Sequence, residues 1–178
     1  MITIHPVKHN PGIRRNAYCG PMVLSLLTGL SPEDAAVHIR THQHLRKPQK
    51  GESRTRQCRV VKGTYFSDLE LVLNEFNLES RVCFYEPTRN SVRPTLLRWF
   101  NEERKVGDHP LLADDHAHIL SAGWHWVLEH KGMIYDSYFP KGKTIEETNY
   151  RRKKVSEVYS IFYGDADYES VRRSLTKR

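Results

Sequence analysis

Cys19 is the residue whose type and position are best suited to covalent chemistry in this sequence. It lies in an Ala-Tyr-Cys-Gly-Pro segment immediately before an apolar run that predicts a helix. Unpaired N–H groups and the dipole at a helix N-terminus favour the thiolate, which is the attacking form of cysteine. Pro21 suits the first helical turn, and Gly20 would let a substrate backbone approach closely. An isolated cysteine is more often a small core residue, but this position favours a reactive one.

A nucleophilic cysteine needs a base and a group that orients the base. Among ten histidines, His125 begins a strand-like segment that reaches a Lys131–Gly132 turn and returns through Asp136. If that turn closes a hairpin, His125 lies opposite Tyr138 and Asp136 is its diagonal neighbour on the same face. A slip of one residue in register would separate them, and an ordinary hairpin with a histidine at its end is the alternative.

Two tryptophans flank this histidine. Trp124 and Trp126 either point to the opposite face of the strand or exclude solvent from His125 if the strand bends. Trp124 joins Gly20 as a candidate substrate contact.

Other sets of reactive residues give weaker signals. The segment 114–118 holds two aspartates and two histidines, which suggests either a metal site or, more simply, an exposed polar loop. No HExxH motif, CxxC pair or glycine-rich phosphate loop is present, so we expect no metal and no cofactor. Three cysteines without such spacing also argue against a disulfide framework, and Cys58 and Cys83 are interpreted as structural.

Apolar residues at helical spacing predict helices early in the chain. The first spans 20–28 and stops at Gly29, and the second is capped by Ser31. A third is predicted from a capping box formed by Ser67 and Glu70, and a fourth opens at Pro94.

Val82 and Phe84 alternate like a short strand, and strand-like runs follow mainly in the second half of the chain. These runs cover 110–113, 118–122, 125–130, 133–139 and 155–163. A weaker helix is predicted over 144–151 from a capping box formed by Thr144 and Glu147. Helices followed by strands indicate an α+β fold in which the N-terminal helices pack against a C-terminal antiparallel sheet.

Composition limits the function classes. At 178 residues and 38% hydrophobic content, the chain predicts one domain over 1–178, and no apolar run approaches the roughly 20 residues of a membrane span. The formal charge of +7 is concentrated in a basic excursion at 40–62 and a basic C-terminal region at 151–178, whose tail is taken as 164–178. The start of the sequence lacks the features of a signal peptide, so a cytoplasmic location is expected.

Cys-Gly-Pro at a helix start, a later Trp-His-Trp-Val-Leu strand and a following Tyr-Asp-Ser strand together resemble papain-like cysteine peptidases. The pattern is similar to compact bacterial and phage proteins of the double-glycine, bacteriocin-processing type. The resemblance implies a Cys19, His125 and Asp136 triad that cleaves a peptide or isopeptide bond through a thioester. Its partner would be a protein or peptide substrate.

The sequence departs from this family in one respect. A Gln shortly before the cysteine usually donates to the oxyanion, and no Gln precedes Cys19. Asn16 is the best substitute and Asn10 the second choice, with the Cys19 backbone N–H as the other donor.

Two alternatives remain open at this stage. The same triad would also serve acyl transfer or deamidation. A non-catalytic module is the other alternative, which would use the 40–62 segment to dock a protein partner or, less favoured, a nucleic acid.

Overall fold

The computed structural model describes residues 2–7, 18–45, 63–85, 93–102 and 116–164. The helices in these ranges are α1 (Cys19–Thr28), α2 (Pro32–Leu45), α3 (Phe66–Glu75) and α4 (Leu96–Asn101). The strands are β1 (Leu78–Tyr85), β2 (Ala117–Ala122), β3 (Trp126–His130), β4 (Met133–Tyr135), β5 (Lys143–Thr144) and β6 (Val155–Tyr163). N-terminal helices therefore accompany a C-terminal sheet, and the predicted α+β class is confirmed.

The six strands form one sheet in the order β1-β6-β2-β3-β4-β5, and every pairing is antiparallel. Its central strands are covered on both faces. Ile119 and Leu128 join the core that contains α1, α2 and α3, whereas Leu120 and Val127 join a second core beneath α4. Because alternate side chains face opposite sides of a strand, β2 and β3 are apolar on both faces and buried along their whole length.

Helix α1 occupies the centre of the first core. Every residue from Gly20 to Leu27 is buried, which fits a helix that is apolar all round. It ends at Gly29, whose φ of 78° is the left-handed conformation that glycine adopts without strain. Cys19 is its first residue, so the predicted helix is confirmed to within one position at its start.

The starts of α2 and α3 differ in how well the sequence predicted them. Ser31 caps α2 by accepting the Asp34 N–H at 3.1 Å, as expected. The predicted capping box of α3 is wrong. The helix begins earlier, with Asp68 accepting the Tyr65 N–H at 3.1 Å, and the Glu70 carboxylate instead accepts from the Ser80 hydroxyl at 2.6 Å.

The hairpin of β3 and β4 has the predicted register. Leu128 pairs with Tyr135 and His130 with Met133, so the turn lies at Lys131–Gly132. Strand β4 is shorter than the predicted 133–139, because the chain leaves the sheet after Tyr135 and turns at Asp136.

The weaker helix over 144–151 is wrong: β5 ends at Thr144 and the following residues form consecutive turns. The strand over 110–113, residues 46–62 of the basic excursion and residues 165–178 of the tail lie outside the described residues, as do Asn10, Asn16 and Cys58.

Among the helices that the structure describes, none is long and apolar enough to cross a membrane.

Candidate active site

Cys19 lies at the first position of α1, against the start of β3. Its N-cap residue, Tyr18, contributes no side-chain cap, so the helix end presents backbone N–H groups near the thiol. The backbone N–H groups of Gly20 and Trp126 and the side chain of His125 lie close enough to the sulfur to stabilise its thiolate form and lower its pKa. The N-terminus of α1 and the start of β3 thus converge on one sulfur atom.

His125 connects Cys19 to a buried carboxylate. Its Nε2 lies 2.9 Å from Oδ2 of Asp136. Since Asp136 occupies Nε2, the ring nitrogen that remains for the thiol is Nδ1. The three side chains are therefore neighbours in the order Cys19, His125, Asp136, and the His125–Asp136 contact predicted from the hairpin is present.

Asp136 is fully buried and accepts four hydrogen bonds from described residues. Tyr138 and Phe139 each donate a backbone N–H to Oδ1 at 2.8 Å, and these bonds form the turn that ends β4. His125 and the Tyr150 hydroxyl both donate to Oδ2, the latter at 2.7 Å. Four donors satisfy the carboxylate in its buried position and fix its orientation toward the imidazole.

Aromatic rings surround the histidine. Tyr150 meets the His125 ring edge to face at a centroid distance of 5.4 Å, and Tyr138 lies 6.0 Å away on a tilted plane. Phe139 packs on Tyr150 at 5.5 Å. These contacts restrict the rotation of the imidazole and shield its bond to Asp136 from water.

The pKa shifts of Cys19 and His125 favour a thiolate–imidazolium pair. Burial alone would raise the pKa of Cys19, but the hydrogen bond and positive charge of His125 and the two backbone donors outweigh it and lower the pKa from 9.0. Burial alone would lower the pKa of His125, but its bonds to Asp136 and Cys19 outweigh burial and raise the pKa to about 9. Both charged forms are stabilised by each other at neutral pH.

Asp136 is held ionised by the same network. Burial alone would raise its pKa, and the hydrogen bonds from His125, Tyr150, Phe139 and Tyr138 outweigh burial, so the pKa is lowered from 3.8. A buried carboxylate that stays charged is the group needed to stabilise an imidazolium.

Gly20 has a packing role that the sequence did not indicate. A Cβ at this position would lie 2.7 to 2.8 Å from the side-chain atoms of Thr64. Thr64 is held in turn, because its carbonyl accepts the Trp126 indole N–H at 2.7 Å. The glycine therefore accommodates Thr64 in this structure, and its contact with a substrate backbone stays a prediction.

Trp124 is a large apolar side chain that lies exposed at the surface. Its side chain is 81% exposed, and it forms with Gly123 a two-residue turn in which both residues have positive φ, 67° and 61°. This turn is closed by the Ala122 N–H, which donates to the His125 carbonyl at 2.9 Å. Trp126 instead is buried against α3 and Tyr159, so only one of the two flanking tryptophans is presented to solvent beside the histidine.

The other reactive residues singled out in the sequence lie outside this site. Cys83, on β1, is half-buried, and burial raises its pKa to about 11, which fits the structural interpretation. The expected exposed loop at 114–118 is wrong for its histidines: His116 and His118 are buried, and His118 Nδ1 lies 2.6 Å from a carboxylate oxygen of Glu129. Within the described ranges, no cluster of three or more metal-binding side chains occurs.

Sequence reasoning missed Tyr150 and Thr64. Tyr150 fell within the segment predicted as a helix, and Thr64 lies next to Gly63 in a stretch without periodicity. Neither residue carries a spacing signal, because each reaches the site through a turn that only the folded chain defines.

Comparison of the chain with models of known protein families, with curated protein sequences and with solved structures finds no match.

Proposed function

We propose that this protein is a cysteine hydrolase that cleaves a peptide or isopeptide bond, with Cys19 as nucleophile, His125 as general base and acid, and Asp136 as the orienting carboxylate. The single observation that carries the proposal is the position of His125 between the other two groups: its Nε2 lies 2.9 Å from Oδ2 of Asp136, and its side chain lies close enough to the Cys19 thiol to lower the pKa of that thiol. A nucleophile at a helix N-terminus, a base and an orienting group within reach of one another are the parts that this chemistry requires.

The reaction would begin with the thiolate–imidazolium pair. The Cys19 thiolate attacks the carbonyl carbon, and the carbonyl electron pair moves to oxygen. His125 then gives its Nδ1 proton to the leaving amine as the carbon–nitrogen bond breaks, which leaves a thioester on Cys19. A water molecule attacks the thioester while His125 takes its proton, and carbon–sulfur cleavage regenerates the thiolate.

One of the two proposed hydrogen-bond donors to the oxyanion lies within the described residues. The backbone N–H of Cys19 lies in the first turn of α1, where it has no acceptor within the helix, and it is the donor that this proposal uses. The proposed second donor, Asn16, lies outside the described residues.

The proposed fold is papain-like. Its support is the arrangement of a buried central helix that begins with the cysteine and packs against an antiparallel sheet, with the histidine directly before the internal strand β3. The order of Cys19, His125 and Asp136 along the chain agrees with the pattern that the sequence resembles.

Cleavage of a complex peptide mixture tests the proposal. The protein is incubated with peptides from a proteome digest, and mass spectrometry identifies new termini that appear with wild type but not with Cys19→Ala. Cys83→Ala is the matched control, because it removes a thiol outside the site and should leave cleavage intact. Cys19-dependent conversion of Gln to Glu would show that the reaction is deamidation and not hydrolysis of a peptide bond. New Cys19-dependent amide linkages would show that the reaction is acyl transfer. The absence of any Cys19-dependent change would overturn the proposal.

A further inference from the structure

A basic segment borders the candidate site on the His125 side. Arg151, Arg152, Lys153 and Lys154 follow Tyr150 directly and are all exposed. Over residues 141–154 the chain carries six basic residues against two acidic ones, Glu146 and Glu147, a local charge of +4. The hydroxyl of Tyr150 donates a hydrogen bond to Asp136, so the basic segment begins directly after a residue that contacts the candidate site.

The basic segment is held in place by two neighbours. The carbonyls of Arg151 and Lys153 accept the N–H groups of Leu97 and Leu96 at 3.1 and 2.8 Å, which joins the segment to the start of α4. On the other side, the Gly123 N–H donates to the Lys154 carbonyl at 2.9 Å. Backbone bonds on both sides hold the backbone of the segment in place and lower the backbone entropy lost when a ligand binds.

The same segment contacts the turn that carries Trp124. A Cβ at Gly123 would lie 2.8 Å from the Lys153 side chain, so the lysine stem crosses over this turn. Trp124 is the next residue and His125 the one after it. An exposed indole and a row of cations thus form one surface, which we call the basic rim and define as Trp124 together with Arg151–Lys154.

The described part of the chain supplies no carboxylate that neutralises the first three cations of the rim. Among the residues that the structure describes, none forms an ion pair with Arg151, Arg152 or Lys153. Lys154 Nζ donates to the Arg93 carbonyl at 2.9 Å, an interaction that leaves its charge intact. Glu147, an acid of the same segment, accepts from the Thr144 N–H at 3.0 Å.

We propose that the basic rim binds an acidic peptide segment on the leaving-group side of the bond attacked by Cys19. This inference rests on the proposed function for the position of the scissile bond. His125 would protonate the leaving amine, so the chain that departs with that amine lies on the His125 side, where the rim begins. The indole supplies apolar contact and the cations supply charge complementarity.

Binding is tested without catalysis. Fluorescein-labelled peptides of equal length, one rich in Glu, one in Ser and one in Lys, each with one Tyr, are titrated with the Cys19→Ala protein and followed by anisotropy. The Glu peptide should bind best, with an affinity that falls as salt rises from about 0.05 to about 0.2 M. The double variant Arg152→Glu/Lys153→Glu reverses two rim charges and should weaken binding of the Glu peptide at least about tenfold. Trp124→Ala should weaken the same binding by about tenfold.

A charge reversal away from the rim is the control. Lys131 lies in the turn at the far end of β3, about 20 Å along the strand from His125. Lys131→Glu should leave binding of the Glu peptide unchanged. The proposal is overturned if the Glu peptide binds no better than the Ser peptide, or if Lys131→Glu weakens it as much as the rim variant. It is also overturned if single-stranded DNA of equal charge displaces the peptide at lower concentration.

The position of the bound peptide needs its own readout. In the wild-type protein, the Glu peptide should slow alkylation of Cys19 by iodoacetamide at least about tenfold but leave Cys83 unaffected. If the Glu peptide binds but does not slow alkylation of Cys19, the claim that the bound peptide extends from the rim into the site is contradicted. Failure of the proposed hydrolysis with binding and protection intact would reject the reaction and retain the rim as a peptide-binding surface.

Discussion

The hydroxyl of Tyr150 donates a hydrogen bond to Oδ2 of Asp136 over 2.7 Å. The same oxygen accepts from His125, so a residue fourteen positions beyond the aspartate helps to set the orientation of the histidine. The bond also connects the turns after β5 to the end of β4.

Tyr150→Phe removes this donor and keeps the ring that packs against His125. We expect the free energy of unfolding to fall by about 1 to 3 kcal/mol, because a buried carboxylate loses one of its partners. Cleavage that depends on Cys19 should fall about tenfold, which corresponds to about 1.4 kcal/mol of lost positioning. Denaturant unfolding and cleavage rates measure the two effects.

The matched control for this substitution is Tyr159→Phe. Tyr159 also donates its hydroxyl to a carboxylate, that of Glu157 at 2.9 Å, but it lies under α3 outside the site. It should lower stability and leave cleavage per folded molecule unchanged. An equal loss of cleavage in both variants would show that Tyr150 acts through stability alone.

Asp136→Asn tests the four hydrogen bonds that this side chain accepts. An amide has one acceptor oxygen and two N–H donors, so donors that now meet Oδ2 would face another donor. We expect a loss of about 2 to 4 kcal/mol in unfolding free energy and a large fall in the alkylation rate of Cys19 at neutral pH. Thermal unfolding and mass-spectrometric labelling measure these quantities.

Glu129→Gln provides the comparison for Asp136→Asn. Glu129 and His118 form a second buried histidine–carboxylate pair in the same sheet, at 2.6 Å. This substitution should destabilise the fold and leave the alkylation rate of Cys19 in folded protein unchanged. A drop in Cys19 reactivity as large as that of Asp136→Asn would contradict a specific role for Asp136.

The raised pKa of His125 predicts a pH-dependent preference between two alkylating agents. Below about pH 9 the imidazolium is present and attracts the anionic iodoacetate, whereas neutral iodoacetamide is indifferent to it. The ratio of the iodoacetate rate to the iodoacetamide rate at Cys19 should therefore fall as pH rises through about 9. His125→Ala should make the ratio nearly independent of pH. A fall centred on the ordinary histidine value of 6.5 would contradict the stabilised pair.

Gly20→Ala places a methyl group against Thr64 and tests the packing of α1 on the loop before α3. We expect a loss of about 1 to 3 kcal/mol in unfolding free energy, since the Thr64 carbonyl is fixed by the Trp126 indole and cannot shift freely. The double variant Gly20→Ala/Thr64→Gly removes the facing side chain and should recover part of the loss relative to Thr64→Gly alone. No recovery would reject Thr64 as the reason for a glycine at this position.

The sequence predicted the elements whose signals are local. Apolar spacing and Gly29 defined α1, and strand-like runs of apolar residues defined β6 and the core of the hairpin. The hairpin turn at Lys131–Gly132 was enough to predict that His125 and Asp136 meet, because register follows from turn position once the turn is known.

What the sequence could not predict depends on tertiary contacts. The capping box at Ser67 was mistaken because a buried Asp68, which also accepts from the Gln43 side chain, sets the helix start two residues earlier, with Tyr65 as the N-cap. Tyr150 was assigned to a helix because its segment carries a capping signal at Thr144 and Glu147. That bond is present at 3.0 Å, but the chain continues in turns, with Tyr150 buried in the core beneath α4.

The alkylation rate of Cys19 relative to Cys83 tests the central claim most directly. Both thiols are partly buried in the same molecule, but the pKa of Cys19 is lowered by His125, whereas that of Cys83 is raised to about 11 by burial. At pH 7, iodoacetamide should label Cys19 at least about tenfold faster than Cys83, and His125→Ala should remove that advantage. Equal rates at the two cysteines, or a Cys19 rate unchanged by His125→Ala, would contradict the proposed Cys-His-Asp chemistry.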